Sequence, residues 1–519
     1  MPNRNPNRRV ASLVLLVFSG VGALSPSPAR GGDVKDANAP YAAIAPERRS
    51  DGVLLPALAK MAPPPARVGT MEEAALILPG MGGWDEAAAW AAGAPQQAVV
   101  EALRKVTGEQ DHRKAYAFGQ AYGIEGVEPS LVRAGLYTEL GDPALLAAAR
   151  FLYLPALDRL ACLVNVEATR LWSEKKGGDS LSLLASFAYF SRSMCDRQFG
   201  REATWGFEHL RFTLERIRDV LYLDSSAPAR VIGSDDLHAL IGKFELVKPE
   251  QAYLDPGRLA LPQGDRIAFE QLVDQVFTAS GEADEGAFGA TLARLRSSDR
   301  PLRLFSEAGR WSQAAGSHAD KSTTLRRGAA VFRDWQFRWG LQWFDPQMSR
   351  VQEYPALDLA KFAVVSVAFP DLFPLTLRRQ ELRVEMVGTR LAAGLCGAQI
   401  ERGSIPPVVQ APRPAWLLDL GVDPMNAGVR SGGRPPLQYL IPGSAGHDIQ
   451  IILPNETSFH VLLKNDVFVL YSVGSDYQDQ KAKIVQNTVR KVRLQSDYLV
   501  WPPVISLYRQ SQTDLGELK

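Results

Sequence analysis

Trp335, Trp339 and Trp343 recur every four residues, with Phe332 and Phe344 beside them. On a helix that spacing gathers three indoles on one face, as a stacking platform for sugar rings or as the core side of a buried helix. Glu202, Glu208, Glu215 and Asp219 fall in another helical stretch, with Asp299, Glu307 and Asp334 further on. A glycosidase needs two carboxylates facing each other across a cleft. Arg201, Arg211, Arg216 and Arg218 are equally close in sequence, so surface ion pairs are the ordinary reading of these acids. The six histidines, at 112, 209, 238, 318, 447 and 460, show no HExxH spacing, and no Gly-x-Ser-x-Gly elbow accompanies them. Ser317-His318-Ala319-Asp320 collects suggestive residue types, but sequence neighbours do not make a triad, and loop or cap roles are expected. Ser431-Gly432-Gly433-Arg434 follows no strand and opens no helix, so no phosphate-binding loop is read there. Lys481, Lys483, Arg490, Lys491 and Arg493 read as the solvated side of a short helix whose stripe is Val485, Val489 and Val492.

The elements that must position these groups are mostly helices. Thr70-Met71-Glu72-Glu73 opens the first with a capping-box pattern. Asp142-Pro143 opens a long apolar-periodic stretch through Trp172, and helices are expected over 179–198 and 201–223. In the second of these, Leu210, Leu214, Ile217 and Leu221 form the core stripe, with Arg211, Glu215, Arg218 and Asp219 off it. Further helices are expected at about 265–280, 286–295, 301–311, 325–344 and 374–402. The last of these turns Leu382, Met386 and Leu391 or Leu395 inward, and Arg378, Arg379, Glu381 and Arg383 outward. Strands are expected at about 437–441, 449–453, 459–463, 467–473 and 498–501, as an antiparallel meander. The fold class is therefore mainly α: an irregular α-helical array over residues 69–351, followed by a smaller α+β domain over 352–519.

Arg4, Arg8 and Arg9, the apolar stretch from Val10 to Leu24 and the small residues of Ser27-Pro28-Ala29 read as a signal peptide over 1–29. The stretch is short of the roughly 18–20 apolar residues a membrane helix needs, so no membrane span is expected after cleavage; an uncleaved anchor is the alternative. Residues 30–68, rich in Pro, Ala and Gly, read as a linker. Across 519 residues the formal net charge is +1, which provides no overall field to attract nucleic acid. Cys162, Cys195 and Cys396 cannot all pair internally, so buried thiols are expected, with a Cys162–Cys195 bridge as the alternative.

The end of the chain adds a resemblance. Asp423-Pro424-Met425-Asn426, Pro436-Leu437-Gln438-Tyr439-Leu440, Leu470-Tyr471-Ser472-Val473-Gly474 and Asp497 to Pro503 follow one long helix in order. Over about 145 residues this resembles the C-terminal half of the major pseudopilin of type II secretion systems, as it is found at the end of large secreted bacterial proteins. The resemblance implies an exported bacterial protein, periplasmic or extracellular. The charged helix, far from the N-terminus, departs from a filament subunit. The family's loop binds calcium, which would fall on Asp476 and Asp479 here, but Gln478, Gln480 and Lys481 stand where further acidic or glycine residues would be. Because Ca²⁺ takes about six to eight oxygen ligands, these two acids are expected to serve as turn and cap residues. With no nucleophile set, metal set or phosphate loop in the sequence, the expected function is binding or scaffolding in the cell envelope, with an envelope protein or polysaccharide as partner. The alternative is a polysaccharide-acting hydrolase using the Trp helix and a Glu/Asp pair.

Overall fold

A computed structural model describes residues 34–109, 111, 113–244, 254, 256–295, 314–426, 434–474, 476–487 and 496–518. The signal-like segment, the helix expected at 301–311, Asp299, Glu307, Arg490, Lys491 and Arg493 lie outside the described residues. With 54% of the chain helical and a smaller sheet near its end, mainly α with a C-terminal α+β part holds.

The stretch read as a linker is structured instead. Helices α1 (Val34–Ala42) and α2 (Asp51–Leu58) fall inside it and bury Ala37, Tyr41, Leu54, Leu55 and Leu58. Helices this short are marginal by themselves, and composition misjudges them because tertiary contacts hold them. Next come α3 (Met71–Leu76), α4 (Trp84–Ala91), α5 (Ala94–Val106) and α6 (Pro129–Arg133). Thr70 caps α3 in the full capping box its sequence announces. Two-residue strands β1 (Thr138–Glu139) and β2 (Arg150–Phe151) pair antiparallel ahead of α7 (Leu154–Ser173).

Helices α8 (Gly177–Met194) and α9 (Gly200–Ser226) form the centre. Leu210, Leu214, Ile217 and Leu221 are buried as their spacing predicts. Full burial of such side chains is worth about 1.5–3 kcal/mol each. Gly206 lets the two helices touch: a Cβ there would lie 2.6 Å from the Cys195 backbone nitrogen. The helical part continues with α10 (Ser234–Phe244), α11 (Gly264–Val276), α12 (Glu285–Leu295), α13 (Lys321–Gly340), α14 (Ala363–Ala368) and the 30-residue α15 (Phe373–Arg402).

The sheet is mixed rather than an antiparallel meander. Its strands are β3 (Gln438–Leu440), β4 (His447–Ile452), β5 (Ser458–Leu463), β6 (Val469–Ser472), β7 (Ile484–Gln486) and β8 (Asp497–Trp501), in the order β3-β6-β8-β7-β4-β5. β7 runs parallel to both β4 and β8. Val485, read as part of a helical stripe, sits in β7, fully buried; a short apolar run is ambiguous between helix and strand, and sheet pairing decides it. Helix α16 (Val504–Asp514) closes the described chain and packs on α9. The boundary expected near 351 is no break in packing. α15 lies along α9, and one apolar cluster runs from Ala37 to Trp501.

Candidate functional site

Helix α9 departs most from expectation. Packed by α7, α8, α15 and α16, it is buried nearly all round. The side chains expected to be solvated off its stripe are mostly inside: Glu202, Glu215, Arg216, Arg218 and Asp219 are all at most 3% exposed. Each has at least one partner on another element. Glu202 accepts from Arg197 at 2.6 Å, from the Tyr122 hydroxyl at 2.7 Å and from the Tyr153 hydroxyl. Glu215 accepts from the Asn487 amide at 2.9 Å, the Ile505 backbone N–H at 3.1 Å and Arg211. Asp219 pairs with Arg216 and Arg509 and accepts from Ser506. Burial alone would raise the Asp219 carboxyl, yet Arg509 and Arg216 hold it below the ordinary range. Arg218 reaches Glu385 of α15 at 2.5 Å and donates to the Val500 carbonyl at 2.9 Å. Arg379 and Glu381, expected to point outward from α15, are buried as well. Sequence periodicity missed these because a helix enclosed on most sides has little solvent face on which to put its charges.

What α9 does show to solvent is a two-lobed cleft near its N-terminal half. The lobes, of about 460 and 400 Å³, share Asp158, Glu208 and His209. Asp158 comes from α7; Glu208 and His209 lie one turn after Trp205 on α9. The Trp205 indole N–H donates to Asp158 at 2.7 Å, and its ring stacks on the His209 imidazole at 3.8 Å between centroids. His209 Nδ1 lies 2.9 Å from the Trp205 carbonyl oxygen, an acceptor only, so Nδ1 carries a proton. Nε2 faces Asp158 at 3.5 Å. Arg378 approaches Glu208 at 3.4 Å, and Arg150, Arg201 and Arg211 line the lobes. The Cys162 thiol lines one lobe but is buried, and desolvation pushes it up to about 12, which keeps it protonated and a poor nucleophile. All three cysteines are free, so the Cys162–Cys195 bridge is not formed.

Glu208 is the one candidate acid of α9 at the cleft, and the tryptophans singled out from sequence lie elsewhere. Trp335, Trp339 and Trp343 are 1%, 8% and 5% exposed, so they offer no stacking face to a sugar. Trp343 also lies beyond α13, which ends at Gly340. The Trp339 indole donates to the Leu259 carbonyl at 2.9 Å, and the Trp335 ring packs against Tyr354 and Phe369. These are core residues because aromatics bury the most area per side chain. Compared with protein-family models, curated proteins and solved structures, the chain finds no match. The site therefore has to be read from its own chemistry.

Asp476 accepts from the Gln478 backbone N–H at 3.0 Å and the Gln480 amide at 2.7 Å; Asp479 accepts from the Lys481 N–H at 2.8 Å and the Tyr471 hydroxyl at 3.0 Å. These are turn bonds, and the turn leads into β7 instead of the expected helix. Among the described residues no three His, Cys, Asp or Glu side chains gather as a metal set. Asp320 caps α13, and His318 packs between Phe277 and Phe288, so Ser317-His318-Ala319-Asp320 is a cap and loop and not a triad.

The cleft's own signal in the sequence is slight. Trp205 and His209 at i, i+4 predict a contact on one helix face, but nothing local places Asp158 beside them.

Proposed function

We propose that this chain is a non-catalytic binding or scaffolding protein of the bacterial cell envelope, and that the α9 cleft is its contact site. One observation carries the reading: three of the four α9 acids that a hydrolase would draw on, Glu202, Glu215 and Asp219, are spent inside as ion pairs, while the cleft offers arginines and carboxylates side by side. Such a lining suits a polymer or protein surface that carries both carboxylates and hydrogen-bonding hydroxyls or amides. Envelope glycopeptide has that chemistry. Export to the periplasm or beyond is supported by the basic, apolar and small-residue start and by the pseudopilin-like end.

Purified chain sedimenting with peptidoglycan sacculi, and losing that property on Arg201→Glu, supports the reading. Failure to sediment at low salt, where screening is weakest, opposes it. N-terminal sequencing of envelope material tests export; an intact Met1 in the cytoplasm refutes it. A second reading is a polysaccharide-acting hydrolase, favoured by one fact: Asp158 and Glu208 line a single cleft beside Trp205. Release of soluble sugar from the same sacculi would select it.

A further inference from the structure

The sheet ends in two unlike edges. β3, at one side, is three residues long, and shortness alone blunts an edge. β5, at the other side, runs six residues, Ser458–Leu463, with an unbroken register to β4. Among the described residues no strand pairs with its outer side. Open N–H and C=O groups in a row template pairing with another chain, which proteins ordinarily prevent with Lys, Pro, a bulge or a cover. Ser458 to Leu463 contains neither Lys nor Pro, and Ser458, His460 and Leu462 are exposed, Leu462 at 57%.

The hairpin fixes which backbone groups point outward. The Leu453 N–H donates to the Thr457 carbonyl at 2.8 Å, so that pair is a hydrogen-bonded one. Antiparallel pairing alternates, so Phe459, Val461 and Leu463 bond to β4. The N–H and C=O groups of Ser458, His460 and Leu462 then face the open side. Gln450, opposite His460, agrees: its N–H donates to the Lys483 carbonyl beside β7, away from β5.

A second β5 is complementary to this edge. When two copies cross antiparallel about a two-fold axis at His460, His460 bonds to its own counterpart and Ser458 to the other copy's Leu462. Phe459 and Val461, half-buried on the face where Tyr508 of α16 packs, then meet across the closer, non-hydrogen-bonded pairs. Aromatic and β-branched side chains are a favourable cross-strand combination. Glu456 precedes the strand and Lys464 follows it, both exposed, so the same register brings opposite charges together at each end. A slip of two residues keeps the bonding pattern but loses that charge match.

We propose that β5 is a self-association edge, through which two copies of this chain form a two-fold dimer with one continuous sheet. A single strand pair is a small interface, so the dimer is weak, with a Kd on the order of 10 μM. Sedimentation equilibrium of the full chain over concentrations spanning that value tests it, and the expected result is a reversible monomer–dimer equilibrium. His460→Pro removes an outward N–H without touching the bonds to β4, and weakens association at least about tenfold; thermal melting checks that the variant is folded. Lys464→Glu weakens it about tenfold at low salt, and adding Glu456→Lys restores it. A chain that stays monomeric throughout overturns the proposal. So does a dimer indifferent to His460→Pro, or a charge swap that fails to restore association. A monomer whose β5 amides gain protection from hydrogen exchange only on sacculi overturns it in favour of an envelope partner.

Discussion

His318 is held neutral by its neighbours. Its Nδ1 lies 2.8 Å from the Ala319 carbonyl, its Nε2 accepts from the Val364 N–H at 3.2 Å, and Phe277 and Phe288 flank the ring. Desolvation by this packing lowers its pKa below the usual histidine value. A group with a depressed folded pKa that must be neutral to fold stabilises above the unfolded value of about 6.5 and loses that contribution as pH falls. Unfolding midpoints should therefore drop between about pH 7.5 and 5, and His318→Gln, which keeps a donor and an acceptor, should flatten part of that slope. An unchanged slope would mean that His318 does not titrate with folding. Gly474 makes a second residue-scale case: φ is +72°, and an added Cβ would collide with the Ser496 carbonyl oxygen. Gly474→Ala should cost about 1–3 kcal/mol in urea denaturation. Asp476 and Asp479 are already satisfied as turn residues, so melting in excess calcium and in chelator should coincide. A rise of several degrees in calcium, abolished by Asp479→Ala, would make them metal ligands instead.

At the scale of elements, α9 is a helix whose apolar stripe was legible and whose charges were not. Leu210 to Leu221 read correctly because period 3.6 is written into any helix that buries one face. The partners of Arg218 and Asp219, Glu385 and Arg509, lie 167 and 290 positions away, a relation local pattern cannot express. Removing one member of a buried pair strands the other, so Glu385→Gln or Arg218→Met should cost about 3–5 kcal/mol. The double replacement by methionines should recover much of that loss, and single losses below about 1 kcal/mol would show that the pair behaves like a surface one. Helix α1 was likewise hidden by composition. Tyr41 accepts from the Gln198 N–H at 3.0 Å and lies under the Arg197 guanidinium at 4.0 Å. Tyr41→Ala should cost about 3–5 kcal/mol if α1 is part of the core, and almost nothing if it is a linker after all.

For the whole molecule, helix-then-sheet order was readable because Trp and Leu stripes give way to β-branched runs after residue 430. The mixed topology was not, since β7 is three residues long and gains its place only by pairing with β4 and β8. The tryptophan stripe was visible yet pointed to the core, whereas the cleft's shared centre joins Asp158 of α7 to Glu208 and His209 of α9, which share no motif. The α9 cleft is proposed to bind without turning over. The direct measurement is a paired assay on peptidoglycan sacculi, recording bound protein and released soluble sugar in the same tubes, with wild type, Arg201→Glu and Glu208→Gln. Bound protein with no sugar release is expected, with binding lost in Arg201→Glu. Sugar released steadily by the wild type and abolished by Glu208→Gln would contradict it and make the protein a hydrolase.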